Sequence, residues 1–153
     1  MEDYIKQDRA DGSRGWTEHK PYTCFTVYGK VRGQSRPRFT TRGSFVKVYK
    51  DKRDVAYEQE IAKAYREAGG TLHTGAIAVH ITAFRALPQS RPKKVTHEPD
   101  THQPDIDNIC KIVLDGLNGI AYLDDSQVVY LTARKQDRKR RPEEFITVLV
   151  TDD

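Results

Sequence analysis

Four aspartates and one lysine in the middle of the chain have the residue types and spacing of a metal-dependent site for phosphate chemistry. Asp105 and Asp107 are two positions apart, Lys111 follows one helical turn after Asp107, and Asp124 and Asp125 come after a Gly-containing break. Carboxylate oxygens are ligands that Mg²⁺ prefers, and such an ion bridges to phosphate oxygens. The pattern therefore indicates carboxylates that hold a divalent cation, with a lysine to bind phosphate or stabilise its developing charge.

Each of these residues also has a structural interpretation, which the sequence leaves open. Asp105 can cap a helix, and Asp124 with Asp125 can form a turn. Lys111 can form an ordinary ion pair with an aspartate one turn before or after it. Patterning alone does not decide between a metal site and a solvated acidic surface.

Several other phosphate and metal motifs do not fit this segment. An EF-hand loop that begins at Asp105 needs glycine at its sixth position and glutamate at its twelfth, where Cys110 and Gly116 stand. The sequence contains no P-loop and no GxSxG nucleophile motif. The two cysteines, Cys24 and Cys110, form no CxxC pair, which argues against a disulfide framework and a structural zinc site.

The net charge of +4 over 153 residues conceals strong segregation along the chain. Residues 30–53 carry nine Lys/Arg against one Asp, residues 134–141 carry six against one, and residues 98–125 carry seven Asp/Glu against one Lys. The basic segments would attract a polyanion that the acidic segment repels, unless a metal ion reverses the sign there. The basic side chains predicted to bind nucleic acid are Arg36, Arg38, Arg42, Lys94, Lys135, Arg138, Lys139 and Arg140.

The elements that must position these residues follow from hydrophobic periodicity. The patterns predict strands at 23–28, 44–49, 77–83, 128–134 and 145–150, and helices at 54–68 and 105–117, with a loop between the first two strands. This order predicts an α+β domain, a mixed or antiparallel sheet with two main helices packed on it. From segment lengths, we expect a strand to carry Asp124 and Asp125 back beside the start of the second helix.

Domain organisation and location follow from composition. Residues 1–20 mix charges, Gly and Ser without periodicity and predict a flexible N-terminal tail, and residues 21–153 predict a single domain. No apolar stretch reaches the length of a membrane span, and the N-terminus lacks the apolar core of a signal peptide. We therefore expect a cytoplasmic protein without a membrane partner.

Three motifs lie in order within the acidic segment. Residues 104–111 read PDIDNICK, residues 115–119 read DGLNG, and residues 124–128 read DDSQV. Together they closely resemble the RusA family of Holliday junction resolvases, often carried by phages and prophages, whose pattern is a D-x-D-N-x-x-K helix, a D-x-L-N-G-like end and a D-D-x-Q-V strand. Residues 36–39, RPRF, resemble a further element of the family. One departure is Pro104, where better-known members have a basic residue, so we expect Arg36 or Lys94 to supply the phosphate contact.

The resemblance implies a small α+β homodimer that uses Mg²⁺ or Mn²⁺ to introduce paired nicks into four-way DNA junctions during recombination and repair. By position it implies metal-binding and catalytic roles for Asp105, Asp107 and Asp125, and a catalytic role for Lys111. Asp124 and Asn108 match supporting positions, in metal and DNA binding respectively. Two alternatives stay open: a DNA-binding relative without catalysis, and a nuclease that acts on flaps or other branched DNA.

Overall fold

The computed structural model describes residues 4–8, 14–18 and 22–153. Its elements in chain order are β1 (Tyr4–Asp8), β2 (Arg14–Glu18), β3 (Tyr22–Tyr28), β4 (Arg38–Arg42), β5 (Phe45–Tyr49), α1 (Lys52–Glu67), β6 (Ile77–Phe84), β7 (His97–Glu98), α2 (Ile106–Leu117), β8 (Val128–Lys135), β9 (Arg138–Lys139) and β10 (Phe145–Asp152). The main sheet has the order β3-β10-β6-β8, with β6 and β8 parallel and the other pairs antiparallel. The predicted α+β domain, with two main helices on a mixed sheet, is confirmed.

One apolar face of each main element contributes to a common core. Every second residue from Ile146 to Val150 of β10 is buried. Ile109, Ile112, Val113 and Leu117, whose helical spacing predicts one apolar face of α2, are buried as well. The core joins sheet and helices through Phe25, Tyr57, Ile61, Tyr65, Val79, Ile81, Ile109, Ile112, Val113, Leu117, Ile146 and Val148. Burial of each such side chain contributes about 1.5–3 kcal/mol, so α2 is held firmly against the sheet.

The direction of α2 follows from the strands that it connects. A parallel pair of strands needs a crossover connection, and α2 provides the one between β6 and β8. The start of α2 therefore lies at the end of β8, where Lys135 Nζ donates a hydrogen bond of 3.0 Å to the Pro104 carbonyl oxygen. The end of α2 leads back toward the start of β8. The turn that begins this return is held by a hydrogen bond of 2.8 Å from the Ala121 amide to the Leu117 carbonyl oxygen.

Residues 38–42, predicted as part of a loop, form strand β4 instead. β4 pairs antiparallel with β5, and every residue of this hairpin is exposed. Arg and Thr dominate the segment, so its strand character comes from pairing with β5 and not from an apolar pattern. Alternation places Arg38, Arg42 and Lys47 on one face of the hairpin, and Phe39, Val46 and Val48 on the other.

The N-terminal segment, predicted as a tail, contains strands β1 and β2, which pair with each other. Residues 1–3, 9–13 and 19–21 lie outside the described residues, and the flexibility of the segment stays a prediction. Of the residues that the structure describes, both cysteines are free thiols, and Cys24 is exposed. Within the described ranges, no helix has the length and apolarity needed to cross a bilayer.

Candidate active site

The first turn of α2 presents two carboxylates at the surface. Asp105 is the N-cap residue with extended backbone, yet among the described residues its side chain makes no capping hydrogen bond. Asp107 lies in the first helical turn, and 64% of its side chain is exposed. The capping role that the sequence allowed for Asp105 is therefore not performed by its carboxylate. The helix N-terminus, with its positive end of the dipole, stabilises both negative charges.

Lys111 follows one turn after Asp107 on the same side of α2. Its Nζ lies 3.6 Å from Asp107 Oδ2, and 60% of its side chain is exposed, so the pair is loose and solvated. The next aspartate, Asp115, pairs instead with Lys50 at 2.8 Å and accepts a hydrogen bond from Gln34 at 3.0 Å. The hydrogen bond to Asp115 raises the pKa of Lys50, against the opposing effect of burial. Lys111 thus remains available to a bound phosphate.

A loop that follows β3 forms the opposite wall of a groove at the start of α2. The backbone amide of Gln34 donates a hydrogen bond to the backbone carbonyl oxygen of Asn108 at 2.9 Å. Gly33 permits this approach, because a Cβ there would lie 2.7 Å from Pro104 Cβ and 2.9 Å from Asn108 Cβ. The groove, a surface cavity of about 500 Å³, is lined by Gln34, Ser35, Arg36, Pro37, Asp105, Asp107, Asn108 and Lys111. Carboxylates, a lysine and an arginine in one groove suit a cation together with a phosphate.

Asp124 and Asp125 lie at the other end of α2, so the expectation of a return beside its start is wrong. The chain folds back onto the end of the helix, where Tyr122 Oη donates to the Leu114 carbonyl oxygen at 2.6 Å. Asp124 caps a single 3₁₀ turn, and the hydrogen bonds from Ser126 lower its pKa. The 12 residues of α2 span about 18 Å, and the chain comes back beside Asp105 only at the end of β8, where Lys135 contacts Pro104.

The metal-ligand set implied by the resemblance is therefore divided within one chain. Within residues 22–153, whose side chains the structure describes, no three His, Cys, Asp or Glu side chains lie close enough together to hold a metal ion. Asp105 and Asp107 share the groove, whereas Asp125 is absent from its lining and Asp124 has a capping role. The described residues thus offer two carboxylates at this groove, which is a number that suffices for an Mg²⁺ ion that keeps several of its waters.

Comparison with known proteins adds an independent observation. The family model described as "Endodeoxyribonuclease RusA" matches residues 29–149. The chain belongs to the RusA endodeoxyribonuclease family. It is also 35% identical over 120 residues to the "Uncharacterized protein YqaN" of Bacillus subtilis (strain 168), an alignment that covers 72% of this chain and 84% of that protein. The family match contains both walls of the groove and the whole of β8.

Asp54 anchors the loop that forms the wall of the groove opposite α2 and carries Arg36. The sequence patterns did not indicate this role of Asp54. Asp54 is buried in the first turn of α1, where it accepts hydrogen bonds from the Ser35 amide at 2.8 Å and from Arg32 Nη2 at 3.1 Å. Burial alone would raise the pKa of Asp54, but the hydrogen bonds from Ser35 and Arg32 lower it below its ordinary value. Asp54 therefore positions the loop that carries Arg36.

The residues before α2 are anchored by a buried ionic cluster. The carboxylate of Asp100 is fully buried, 2.9 Å from Arg85 Nη1 and 3.7 Å from Lys135 Nζ. Lys135 also donates to the carbonyl oxygens of His102 and Pro104. Long-range pairing of this kind leaves no local sequence signal, so the sequence patterns missed Asp100 and Arg85. The cluster fixes the approach of the chain to Asp105.

The basic residues predicted to bind DNA divide into two groups. Lys135 is engaged with Asp100, Arg138 is buried against Glu98, and Arg140 donates to the carbonyl oxygens of Arg91 and Pro92. The charges of Lys135 and Arg138 are paired inside the protein, so their positions do not support direct DNA contacts, whereas Arg140 is exposed. Arg36 lines the groove. Arg38 is exposed on the hairpin and pairs with Asp51 at 3.0 Å. The other exposed basic residues on hairpin, loop or strand positions are Arg42, Lys94 and Lys139.

Proposed function

We propose that this protein is a Mg²⁺-dependent endodeoxyribonuclease that resolves four-way DNA junctions by paired nicks. The observation that carries the proposal is the groove at the start of α2, where two surface carboxylates and a lysine share one wall and an arginine lies on the other, in a chain of the RusA endodeoxyribonuclease family. Mn²⁺ is expected to replace Mg²⁺, because both ions prefer oxygen ligands in octahedral geometry.

Asp105 and Asp107 fit a divalent cation, since both are surface carboxylates in one groove and Asp105 makes no capping hydrogen bond within the described residues. When bound, the cation polarises the phosphate and lowers the pKa of water. Lys111 lies on the same wall and stabilises negative charge that develops on the phosphate. Arg36, on the opposite wall, orients the phosphate with its planar guanidinium.

The exposed hairpin β4–β5 supplies a grip on the DNA outside the groove. Arg38, Arg42 and Lys47 share one of its faces and would neutralise backbone phosphates. Lys94 and Lys139, which are both exposed, are further proposed contacts. Such contacts read shape and charge rather than base sequence, which suits a branched substrate. A four-way junction has near two-fold symmetry, so a homodimer with one site per subunit matches the two strands to be cut.

A panel of labelled DNA substrates tests this function. Purified protein is incubated with a four-way junction, a flap and a linear duplex in Mg²⁺, Mn²⁺ or EDTA. Nicks at symmetric positions in two strands of the junction, seen in either metal and lost in EDTA, support junction resolution. Faster cleavage of the flap would assign the groove to other branched DNA. Junction binding without cleavage in both metals would indicate a DNA-binding relative and contradict the proposal.

A further inference from the structure

The β4–β5 hairpin stands apart from the rest of the fold. All of its strand residues are exposed, and in the part of the chain that the structure describes its two strands pair only with each other. Phe45 is 80% exposed, more than any other large apolar side chain among the described residues. A hairpin that buries no face gains little stability in water by itself. Its exposed side chains are therefore explained better by a ligand than by the fold.

One face of the hairpin carries basic and aromatic side chains side by side. Opposite residues of two paired strands, and every second residue along each strand, share a face. The cross-strand pairs on this basic-aromatic face are Arg42 with Phe45, Thr40 with Lys47, and Arg38 with Tyr49. Its three cations attract phosphates, and its two rings offer flat apolar surface on which a base can stack. This combination is the one that binds unpaired nucleic acid.

A tight turn holds Phe45 at the tip of the hairpin. β4 ends at Arg42 and β5 begins at Phe45, so Gly43 and Ser44 alone form the turn. Gly43 has a φ of 63°, a left-handed conformation that the first residue of a two-residue hairpin turn requires and that glycine adopts without strain. Arg42 lies opposite Phe45 in the register, so a ring for a base and a cation for a phosphate stand side by side at the tip.

The base of the hairpin adjoins the groove at the start of α2. Arg36, two residues before β4, lines the groove, and Lys50, directly after β5, pairs with Asp115 of α2 at 2.8 Å. A strand rises about 3.4 Å per residue, so the tip lies about 14 Å along the hairpin from its base. That length equals about four nucleotide steps of a duplex strand. A DNA strand with one phosphate in the groove is thus within reach of the tip a few nucleotides away.

Stacking on a protein ring needs a base with an open face. In a linear duplex each base is stacked on both sides, and a ring must first unstack the duplex, which costs free energy. At a branch point the stack is interrupted, so the bases beside it can lose a neighbour at lower cost. We propose that Phe45 stacks on a base at the branch point, and that this contact makes binding selective for branched DNA over linear duplex. The proposal rests on the proposed nuclease function for its substrate, but it is tested by binding, without cleavage.

Binding in EDTA is compared for a labelled four-way junction and a linear duplex of the same arm sequence. Phe45→Ala should lose about 5- to 150-fold in affinity for the junction, equivalent to about 1–3 kcal/mol for one stacked base, and less than about twofold for the duplex. Phe39→Ala is the matched control, since Phe39 is an exposed ring on the opposite face of the same hairpin, and it should bind both DNAs as the wild type does. Arg42→Ala should weaken binding to both, because both present phosphates.

A fluorescent base reports the contact itself. 2-Aminopurine is placed beside the branch point of the junction, where its fluorescence rises when it leaves the stack of its neighbours. The wild type and Phe39→Ala should raise this fluorescence, and Phe45→Ala should not. Equal losses of affinity on junction and duplex, or the same fluorescence rise with Phe45→Ala as with the wild type, would overturn the stacking contact.

The stacking contact and the nuclease function can fail separately. A wild type that nicks junctions in Mg²⁺, while Phe45→Ala binds them as tightly as the wild type does, would overturn the contact and leave the nuclease function. A wild type that prefers junctions through Phe45 and makes no nick in either metal would refute the nuclease function and leave the contact. A wild type that binds junction and duplex equally would overturn the contact.

Discussion

Replacing Lys111 with methionine separates a catalytic role of this residue from a structural one. Lys111 Nζ lies 3.6 Å from Asp107 Oδ2, and both side chains are more than half exposed. An exposed i, i+4 pair of this kind stabilises a helix by about 0.2–0.5 kcal/mol. We therefore expect the free energy of unfolding of Lys111→Met to fall by less than about 0.5 kcal/mol.

The expected effect on cleavage is much larger. Lys111 shares the groove with Asp105 and Asp107, where negative charge develops on a reacting phosphate. Removal of one preorganised donor to such a charge typically slows a reaction by about 10²–10³-fold, equivalent to about 2.7–4 kcal/mol in the barrier. Lys111→Met should thus slow cleavage strongly and change the free energy of unfolding only slightly, because the ammonium group acts on the reacting phosphate and contributes little to the stability of the fold.

The assay is single-turnover cleavage of a four-way junction in Mg²⁺, with urea unfolding measured on the same preparations. Lys63→Met is the matched control, since Lys63 forms an exposed i, i+4 pair with Glu67 at 3.8 Å on α1, outside the groove. The control should cleave at the wild-type rate. If Lys111→Met cleaves within threefold of the wild type, or loses stability in proportion to activity, the catalytic role of Lys111 is refuted.

Three further variants test the parts that hold the groove together. Asp54→Ala should lower the free energy of unfolding by about 2–4 kcal/mol, because it removes a buried carboxylate and leaves the half-buried Arg32 guanidinium and the Ser35 amide without this partner. Since the pKa of Asp54 is lowered in the folded state, this difference from wild type should be present above about pH 4 and shrink as pH falls further, as urea melts at several pH values would show. Gly33→Ala should cost about 1–3 kcal/mol through its 2.7 Å clash, whereas Gly75→Ala, with open space around it, should stay within about 0.5 kcal/mol of wild type. Arg36→Ala should reduce the slope of log K against log[salt] for junction binding in EDTA by about 1, and an unchanged slope would remove Arg36 from the phosphate contacts.

Local pattern predicted the helices and strands well where one face of an element is buried. The stripe of Ile109, Ile112, Val113 and Leu117 identified α2 because burial of one helical face repeats every 3.6 residues. Strand β4 was missed because its residues are all exposed and polar or aromatic, so no buried face marks it. Hydrophobic periodicity therefore identifies elements with one buried face, and it gives no signal for a hairpin whose residues are all exposed.

The candidate site was predictable in its residues but not in its assembly. Asp105, Asp107 and Lys111 could be placed together because helical spacing fixes their separation. The position of Asp125 depends on the direction of β8, which the parallel crossover sets and segment length does not reveal. The internal roles of Lys135 and Asp54 depend on partners far away in the chain, so composition counted their charges without showing where they are used.

Cleavage by Asp107→Asn is the most direct test of the claim that the groove at the start of α2 is a metal-dependent nuclease site. The substitution keeps the size of an exposed side chain and removes the charge that would hold the cation. Wild type, Asp107→Asn and the control Asp153→Asn are compared on one four-way junction, for binding in EDTA and for nicking in Mg²⁺. All three should bind with equal affinity, and only Asp107→Asn should fail to nick. Nicking by Asp107→Asn at the wild-type rate would contradict the account and move the chemistry to another part of the protein.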